Sequence, residues 1–483
     1  MANQRPNILL ITTDQQRFDG LGINGNRILR TPNLDHWASR GVNFSRAYTT
    51  CPSCIAARRS ILTGQFPATH GLVGYRDGLQ FDPPFTLPGL LGRAGYQTQL
   101  IGKLHMYPPR KRYGFDNMVL SEQLEYRPDS AWFSQNDYAD WLAKQGQQFN
   151  PAALGTGANS WVARPWHLDE NLHQTSWLVH EATDFLTRRR DPSCPFFLHL
   201  SFWAPHPPLI PPQAYWDRYV GRRDWQPHVG SWVPQMVTRP GVAPDSFVGP
   251  YPQEALADAM AGYYGLINHI DDRLAFLFDR LLEYGSARQN MPLWVIFTSD
   301  HGELLGDHHL YRKVLPYEGS AHIPFFVRGW NMDLAPRASD ALVCLEDILP
   351  TVCEMAGIGV PAGVDGKSLV PLLRGESQQV RDDLHGEHAY DLRGEHSHRD
   401  ASNHFLVAGP HKYCWFSQTN EEQLFDLEAD PWELTDISGQ AGDVLSQMRQ
   451  RMARWLAGRK DYTYEIAKLT PLANRPPRAL FRD

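Results

Sequence analysis

Short, unbroken apolar runs alternate with longer stretches of helical period along the first two thirds of the chain. Residues 8–11 read Ile-Leu-Leu-Ile without a polar interruption, the pattern of a strand buried on both faces of a parallel sheet. Further strands are predicted at 96–101, 196–200, 293–298 and 323–328. A helix is predicted from Thr31-Pro32 to Gly41, with Thr31 as N-cap and Pro32 at the first position. Others are predicted over 87–95, 177–190, 254–284 and 346–356. This alternation predicts an α/β fold, a three-layer α/β/α arrangement around a large, mostly parallel (mixed) sheet.

After about residue 370 the pattern changes. Residues 404–408, 412–416 and 423–427 read as an antiparallel meander with a turn at Asp430-Pro431, and a helix follows over 443–458. The expected organisation is a large α/β domain at 1–370 and a smaller C-terminal α+β subdomain at 371–483. The tail from 469 has no core of its own and is a candidate contact between copies in a homo-oligomer. Residues 106–175 and 205–252 are aromatic and Pro-rich and read as loops.

The chain of 483 residues is 42% apolar and 12% aromatic, ample for a large core. A net charge of −7 provides no basic surface for nucleic acid. Six cysteines in this length do not make a disulfide framework; Cys194, Cys344, Cys353 and Cys414 read as buried small hydrophobes. No apolar run is long enough to span a membrane and none before Asn7 resembles a signal-peptide core, so a soluble, cytoplasmic protein is expected.

Four apolar runs are followed by compact polar sets: Asp14-Gln15, Lys103 with His105, His206, and Asp300-His301. Parallel strands end on one edge, where sites form. Asp14, Gln15, Asp300 and His301 offer oxygen and imidazole donors suited to Ca²⁺, Mg²⁺ or Mn²⁺. Lys103, His206 and Lys313 would neutralise the oxygens of a bound tetrahedral anion, and His105 is a candidate general base. Between these sets lies Cys54-x-Ala56-x-Arg58, followed by Thr63-Gly64. On a helix Arg58 returns to the face of Cys54, and Cys54 sits at the N-terminus, where an anion is favoured. Cys51-x-x-Cys54 is also a possible redox pair or half of a zinc site; with no second such pair, a four-cysteine zinc site is excluded.

The Cys54–Arg58 motif with Thr63-Gly64 resembles the signature of the sulfatase family, within the alkaline-phosphatase superfamily, with Ala56 where proline is more usual. The resemblance implies that a maturation enzyme oxidises Cys54 to formylglycine, whose hydrate is the nucleophile. It implies one divalent metal, Ca²⁺ or Mn²⁺, held by Asp14, Gln15, residue 54, Asp300 and His301. Asp-Gln plus Asp-His looks more like phosphonate monoester hydrolases and some bacterial sulfatases than the more usual sulfatase pairs. Gly102-Lys103-Leu104-His105, by contrast, is similar to a sulfatase motif that those hydrolases lack. Leu424-Phe425-Asp426-Leu427-x-x-Asp430-Pro431-x-Glu433 resembles the family's C-terminal subdomain.

The implied reaction is hydrolysis of an aryl or carbohydrate sulfate monoester. Arg58 and the metal support the nucleophile, Lys103 and Lys313 hold the sulfonyl oxygens, His206 protonates the leaving alcohol and His105 assists release of sulfate. Phosphonate monoester or phosphodiester hydrolysis on the same scaffold is the alternative, and a non-catalytic anion-binding protein is a further one if Cys54 stays unmodified. His385, His388, His396 and His398 read as a solvated loop.

Overall fold

The structure is a computed structural model that describes residues 5–122, 136–147, 155–233, 244–284, 292–332, 334–389, 402–417, 420–457, 462–465 and 468–471. Eight strands make the large sheet: β1 (Asn7–Asp14), β2 (Val42–Tyr48), β3 (Gln97–Gly102), β4 (Asn117–Leu120), β5 (Phe196–Pro205), β6 (Leu293–Ser299), β7 (Phe325–Trp330) and β8 (Arg337–Cys344). Their order is β4-β3-β5-β1-β6-β7-β2-β8. All neighbours run parallel except β7, which is antiparallel to both β6 and β2.

The uninterrupted run in β1 follows from its central place. Ile8 and Leu10 enter one core, Leu9 and Ile11 the other. The helices Gln174–Asp184 and Gln253–Tyr284 cover the second face. Leu87–Arg93, Ile348–Met355 and α2 (Cys54–Thr63) cover the first. This is the expected three-layer arrangement.

Several elements differ from the sequence pattern. β2 and β8 carry polar residues among apolar ones, and the first half of β8 alternates with solvent as the edge of the sheet, so neither is an unbroken run. In α1 (Pro32–Ser39) Thr31 occupies the N-cap position but does not cap. Its hydroxyl donates to Asp35 and accepts from the Gly22 N–H, each at 2.9 Å. The open N–H groups of Asn33 and Leu34 donate instead to Asp271, at 3.3 and 2.7 Å, on the long helix. The helix expected to run to 190 ends in a wider π turn at Phe185–Arg189. Cys194 is only half-buried, in the turn before β5.

A second, antiparallel sheet of β9 (Asp383–Ala389), β10 (Ser402–Ala408), β11 (His411–Phe416) and β12 (Glu421–Asp426) has the order β12-β11-β10-β9. One face packs on the helix Gly442–Leu456 through Leu445, Met448 and Met452. The other packs on Tyr48, Tyr317 and Leu342 of the large unit through Phe405, Val407 and Phe425. Lys412 is fully buried in that seam and pairs with Glu318 at 2.8 Å and Glu433 at 3.0 Å. The glutamate of the Asp-Pro-x-Glu stretch also accepts the Glu318 N–H at 2.7 Å and so ties the second sheet to the short helix Glu318–Ala321 of the large unit.

β9 corrects the reading of its histidines as a solvated loop. His385 and His388 are buried, and His385 Nε2 lies 3.0 Å from His404 Nδ1. The charged sequence hid a strand whose Gly386 makes room for Phe405; a Cβ there would fall 2.2 Å from the ring. His396 and His398 lie outside the described residues. So does the tail from 472; its first residues, up to Pro471, belong to β14 (Lys468–Pro471), which pairs with β13 (Tyr462–Glu465) in a hairpin. Among the described residues, no helix is long and apolar enough to cross a membrane.

Candidate active site

Four neighbouring parallel strands, β3, β5, β1 and β6, end side by side, and backbone bonds tie the ends together. The His206 N–H donates to the Asp14 carbonyl at 3.1 Å, that of Asp300 to Thr13 at 3.2 Å, and that of Lys103 to Ser201 at 2.9 Å. The last contact demands glycine before it: Gly102 has φ +116°, and a Cβ there would sit 1.8 Å from the Ser201 carbonyl oxygen.

Cys54 is the first residue of α2 and is buried against this edge. Its Sγ lies 3.1 Å from His301 Nε2 and 3.8 Å from Asp14 Oδ1. His105 and His206 also contact this thiol. One turn on, Arg58 bridges both carboxylates, with Nε donating to Asp300 Oδ2 at 3.0 Å and Nη2 to Asp14 Oδ2 at 3.1 Å. Its Nη1 donates to Ser201 Oγ at 2.8 Å and the Lys103 carbonyl at 2.9 Å. Lys103 Nζ donates to Asp14 Oδ2 at 2.6 Å and stands 3.8 Å above the Trp203 ring.

Gln15 has a left-handed backbone, φ +69°, held where the Tyr263 hydroxyl donates to its carbonyl at 2.7 Å. Its amide Nε2 donates to Glu303 and its Oε1 accepts from Lys313 Nζ at 2.7 Å. Lys313 Nζ also lies 2.8 Å from His206 Nε2. Lys313 reaches this point from a tightly wound loop in which Leu305, His308, His309, Arg312 and Val314 all have positive φ. Glu303 Oε1 accepts the N–H groups of Leu305 and Arg312, at 2.8 and 2.6 Å, and Pro52 accepts that of Val314 at 3.1 Å.

Cys54, Asp14, Asp300 and His301 each offer one ligand atom, and these atoms lie within 4.8 Å of one another, all buried. His301 Nδ1 sits 3.0 Å from the Gly302 carbonyl, which turns Nε2 towards the cluster; burial acts against its cation, but Asp300 and Cys54 outweigh that and raise it while no metal is bound. Two buried carboxylates and a directed imidazole fit a divalent cation. Gln15 adjoins the cluster, its side-chain oxygen turned to Lys313.

The charges reinforce this. Burial pushes the Cys54 thiol up, but Lys313, Lys103 and His301 outweigh it and hold it well below its ordinary value. An anion at residue 54 is therefore stabilised. Burial and Cys54 oppose ionisation of Asp14, yet Lys103, His206 and Arg58 keep it ionised far below the usual carboxylate range. Burial and the nearby Asp14 push Asp300 up to about 6, a repulsion that a cation between the two would remove. Burial and Lys313 push His206 down to about 4. Burial and Lys103 act against the His105 cation, but contacts with Asp77 and Cys54 outweigh them and raise it.

The sulfatase family profile matches residues 6–358 and that of the N-sulphoglucosamine sulphohydrolase C-terminal region matches 306–458. The chain belongs to the sulfatase family. This sulfatase is 41% identical to an arylsulfatase of Clostridium perfringens (strain 13 / Type A) over 95% of each chain. It is 30% identical to a choline-sulfatase of Rhizobium meliloti (strain 1021) over 91% of this chain and 83% of that one. Its fold matches the crystal structure of a phosphonate monoester hydrolase of Agrobacterium radiobacter with a TM-score of 0.76 at 25% identity, over 98% and 100% of the two chains. It is a sulfuric ester hydrolase.

All the expected site residues of this sulfatase gather within one buried site. Others there were not anticipated. Ser201 and Trp203 lie where β5 runs on past its apolar start, and the alternation Ser201-Phe202-Trp203 could have extended that strand. Glu122, which accepts the N–H groups of Leu104 and His105 at 2.9 and 3.0 Å, and Asp77 beside His105 sit in irregular segments that carry no periodic signal. The remaining cysteine of the pair, Cys51, is a buried free thiol pushed well up by burial and Glu387. Residues 123–135, 148–154 and 234–243 of the two loop-rich segments lie outside the described residues.

Proposed function

We propose that this sulfatase hydrolyses an aryl or carbohydrate sulfate monoester, with residue 54 as nucleophile once a formylglycine-generating enzyme has oxidised it. The observation that carries this reading is the setting of Cys54: a helix N-terminus ringed by Lys103, Lys313, His105, His206 and His301, with Arg58 behind. The hydrated aldehyde supplies one hydroxyl for attack on sulfur and a second whose deprotonation expels sulfate and regenerates the carbonyl. Asp14, Gln15, Asp300, His301 and residue 54 would hold Ca²⁺ or Mn²⁺, which polarises the nucleophile.

The chain's own groups have separable tasks. Arg58 keeps both carboxylates oriented. Lys103 and Lys313 carry charge to the sulfonyl oxygens, where it counts most as charge develops. His206 Nδ1 lies 2.8 Å from the Pro207 carbonyl and its Nε2 faces the Lys313 ammonium. The proton for the leaving oxygen therefore comes from His206 and Lys313 acting as a pair. His105 takes the proton in the second step. A division of the chain near residue 370 fits this scheme, the smaller unit bracing the nucleophile segment through the Glu387 N–H, which donates to Thr50 at 2.7 Å.

Phosphonate monoester hydrolysis is the second reading, supported by the Gln15 and His301 donors and by the likeness to the Agrobacterium radiobacter enzyme. Comparing kcat/KM for an aryl sulfate and the matching aryl phosphonate monoester, on protein made with the maturation enzyme, separates the two. The first reading expects the sulfate ester to be preferred; preference for the phosphonate overturns it.

A further inference from the structure

One contact at the site has no part in the chemistry above. His105 Nε2 lies 3.5 Å from Asp77 Oδ1, and Tyr75 donates its hydroxyl to the other oxygen of that carboxylate at 2.6 Å. His105 is fixed from behind by its backbone. It is left-handed, φ +55°, and its N–H is held by the buried Glu122. That anchor sets where the side chain starts, and the ring itself reaches Cys54. Asp77 meets the ring from the solvent side, its own side chain 52% exposed. The segment that carries it is pinned at Gly74, where a Cβ would fall 2.5 Å from the Ala389 carbonyl oxygen of β9. The Tyr75 ring stands 6.1 Å from the imidazole in an edge-on arrangement.

We propose that Asp77, oriented by Tyr75, is a positioning residue for His105: it fixes the ring so that one nitrogen shares its proton with the carboxylate and the other keeps a lone pair for residue 54. The inference rests on the reading in which His105 acts as sulfate departs. In that step the remaining hydroxyl at residue 54 gives its proton to His105. The carbon–oxygen bond to sulfate breaks, its electron pair leaves with sulfate, and the aldehyde carbonyl forms. A ring turned away from residue 54 cannot take that proton, while the first displacement, which precedes it, is untouched.

The test is Asp77→Asn, which keeps the shape and removes the charge. Since kcat/KM reports only the steps through alcohol release, kcat and KM should fall together while kcat/KM holds. The fall should be about tenfold to a hundredfold, part of the ~10²–10⁴ that general acid–base catalysis supplies. Mass spectrometry of the peptide bearing residue 54, quenched at steady state, should find retained sulfate in the variant and little in the wild type. Asp77→Glu should restore kcat in part, and Tyr75→Phe should shift it less, in the same direction. His105→Ala is the control: it should release one alcohol per site and stall with sulfate attached. If it stalls while Asp77→Asn turns over like the wild type, the positioning role is overturned and the reading stands. Loss of kcat/KM in step with kcat also overturns the role. If His105→Ala retains no sulfate, the reading itself fails and the inference with it.

Discussion

Lys313 Nζ lies 2.8 Å from His206 Nε2. Because Nδ1 of the same ring faces the Pro207 carbonyl, the imidazole is neutral and accepts from the ammonium. Burial and Lys313 keep the histidine down at about 4, so it does not hold the proton at rest.

This has a consequence for leaving groups. Lys313→Met and His206→Gln should each lower kcat/KM, and the loss should grow as the leaving alcohol becomes more basic. For an alkyl or sugar sulfate we expect about 10²–10⁴-fold, the range of general acid catalysis. For nitrophenyl sulfate, which needs little protonation, the loss should be much smaller. A series of aryl sulfates of graded phenol pKa measures this; equal losses across the series would mean that the pair serves only to hold charge.

The metal cluster makes a second prediction. Asp14 and Asp300 are buried and repel each other without a cation. Chelation should therefore lower both activity and the thermal midpoint, and Ca²⁺ or Mn²⁺ should restore both, by mass action on the folded state. Asp14→Ala and Asp300→Ala should lose metal and activity together, as elemental analysis would report. His301→Asn should move metal preference towards calcium, because an amide oxygen replaces imidazole nitrogen. Full activity in metal-free protein would contradict the assignment.

A third prediction concerns acid stability away from the site. His173 is buried and caps the helix Gln174–Asp184, its Nδ1 accepting from the Thr175 N–H at 3.1 Å. Burial pushes it down to about 3. The unfolded chain takes up a proton near 6.5 that the native state refuses, so the contribution to stability is intact above that pH and is lost as pH falls towards 3. His173→Asn keeps a capping oxygen but does not titrate. It should cost packing equally at every pH, yet lose about 2 kcal/mol less than the wild type between about pH 7.5 and pH 5. Urea unfolding at the two pH values provides the comparison; parallel losses would refute a neutral buried His173.

Much of the site was legible in the sequence because its parts follow apolar runs. Asp14 ends a buried parallel strand, Lys103, His206 and Asp300 each directly follow one, and the Cys54–Arg58 spacing already implied one helical face. What was hidden has physical reasons. β2 and β8 mix polar with apolar residues, and β9 looks like charged loop until its pairing with β10 buries His385 and His388. Thr31 had the right residue type for a cap, but Asp271, distant in sequence, took the role. Asp77 and Glu122 act through single contacts to His105 from irregular backbone, which no periodicity marks.

The most direct measurement of the central claim is the mass of the peptide carrying residue 54 in catalytically active protein. We expect the aldehyde or its hydrate at position 54, an unmodified thiol at Cys51, and turnover that rises in proportion to the converted fraction. Active enzyme with a thiol at residue 54, or with a Cys51–Cys54 disulfide, would contradict the account.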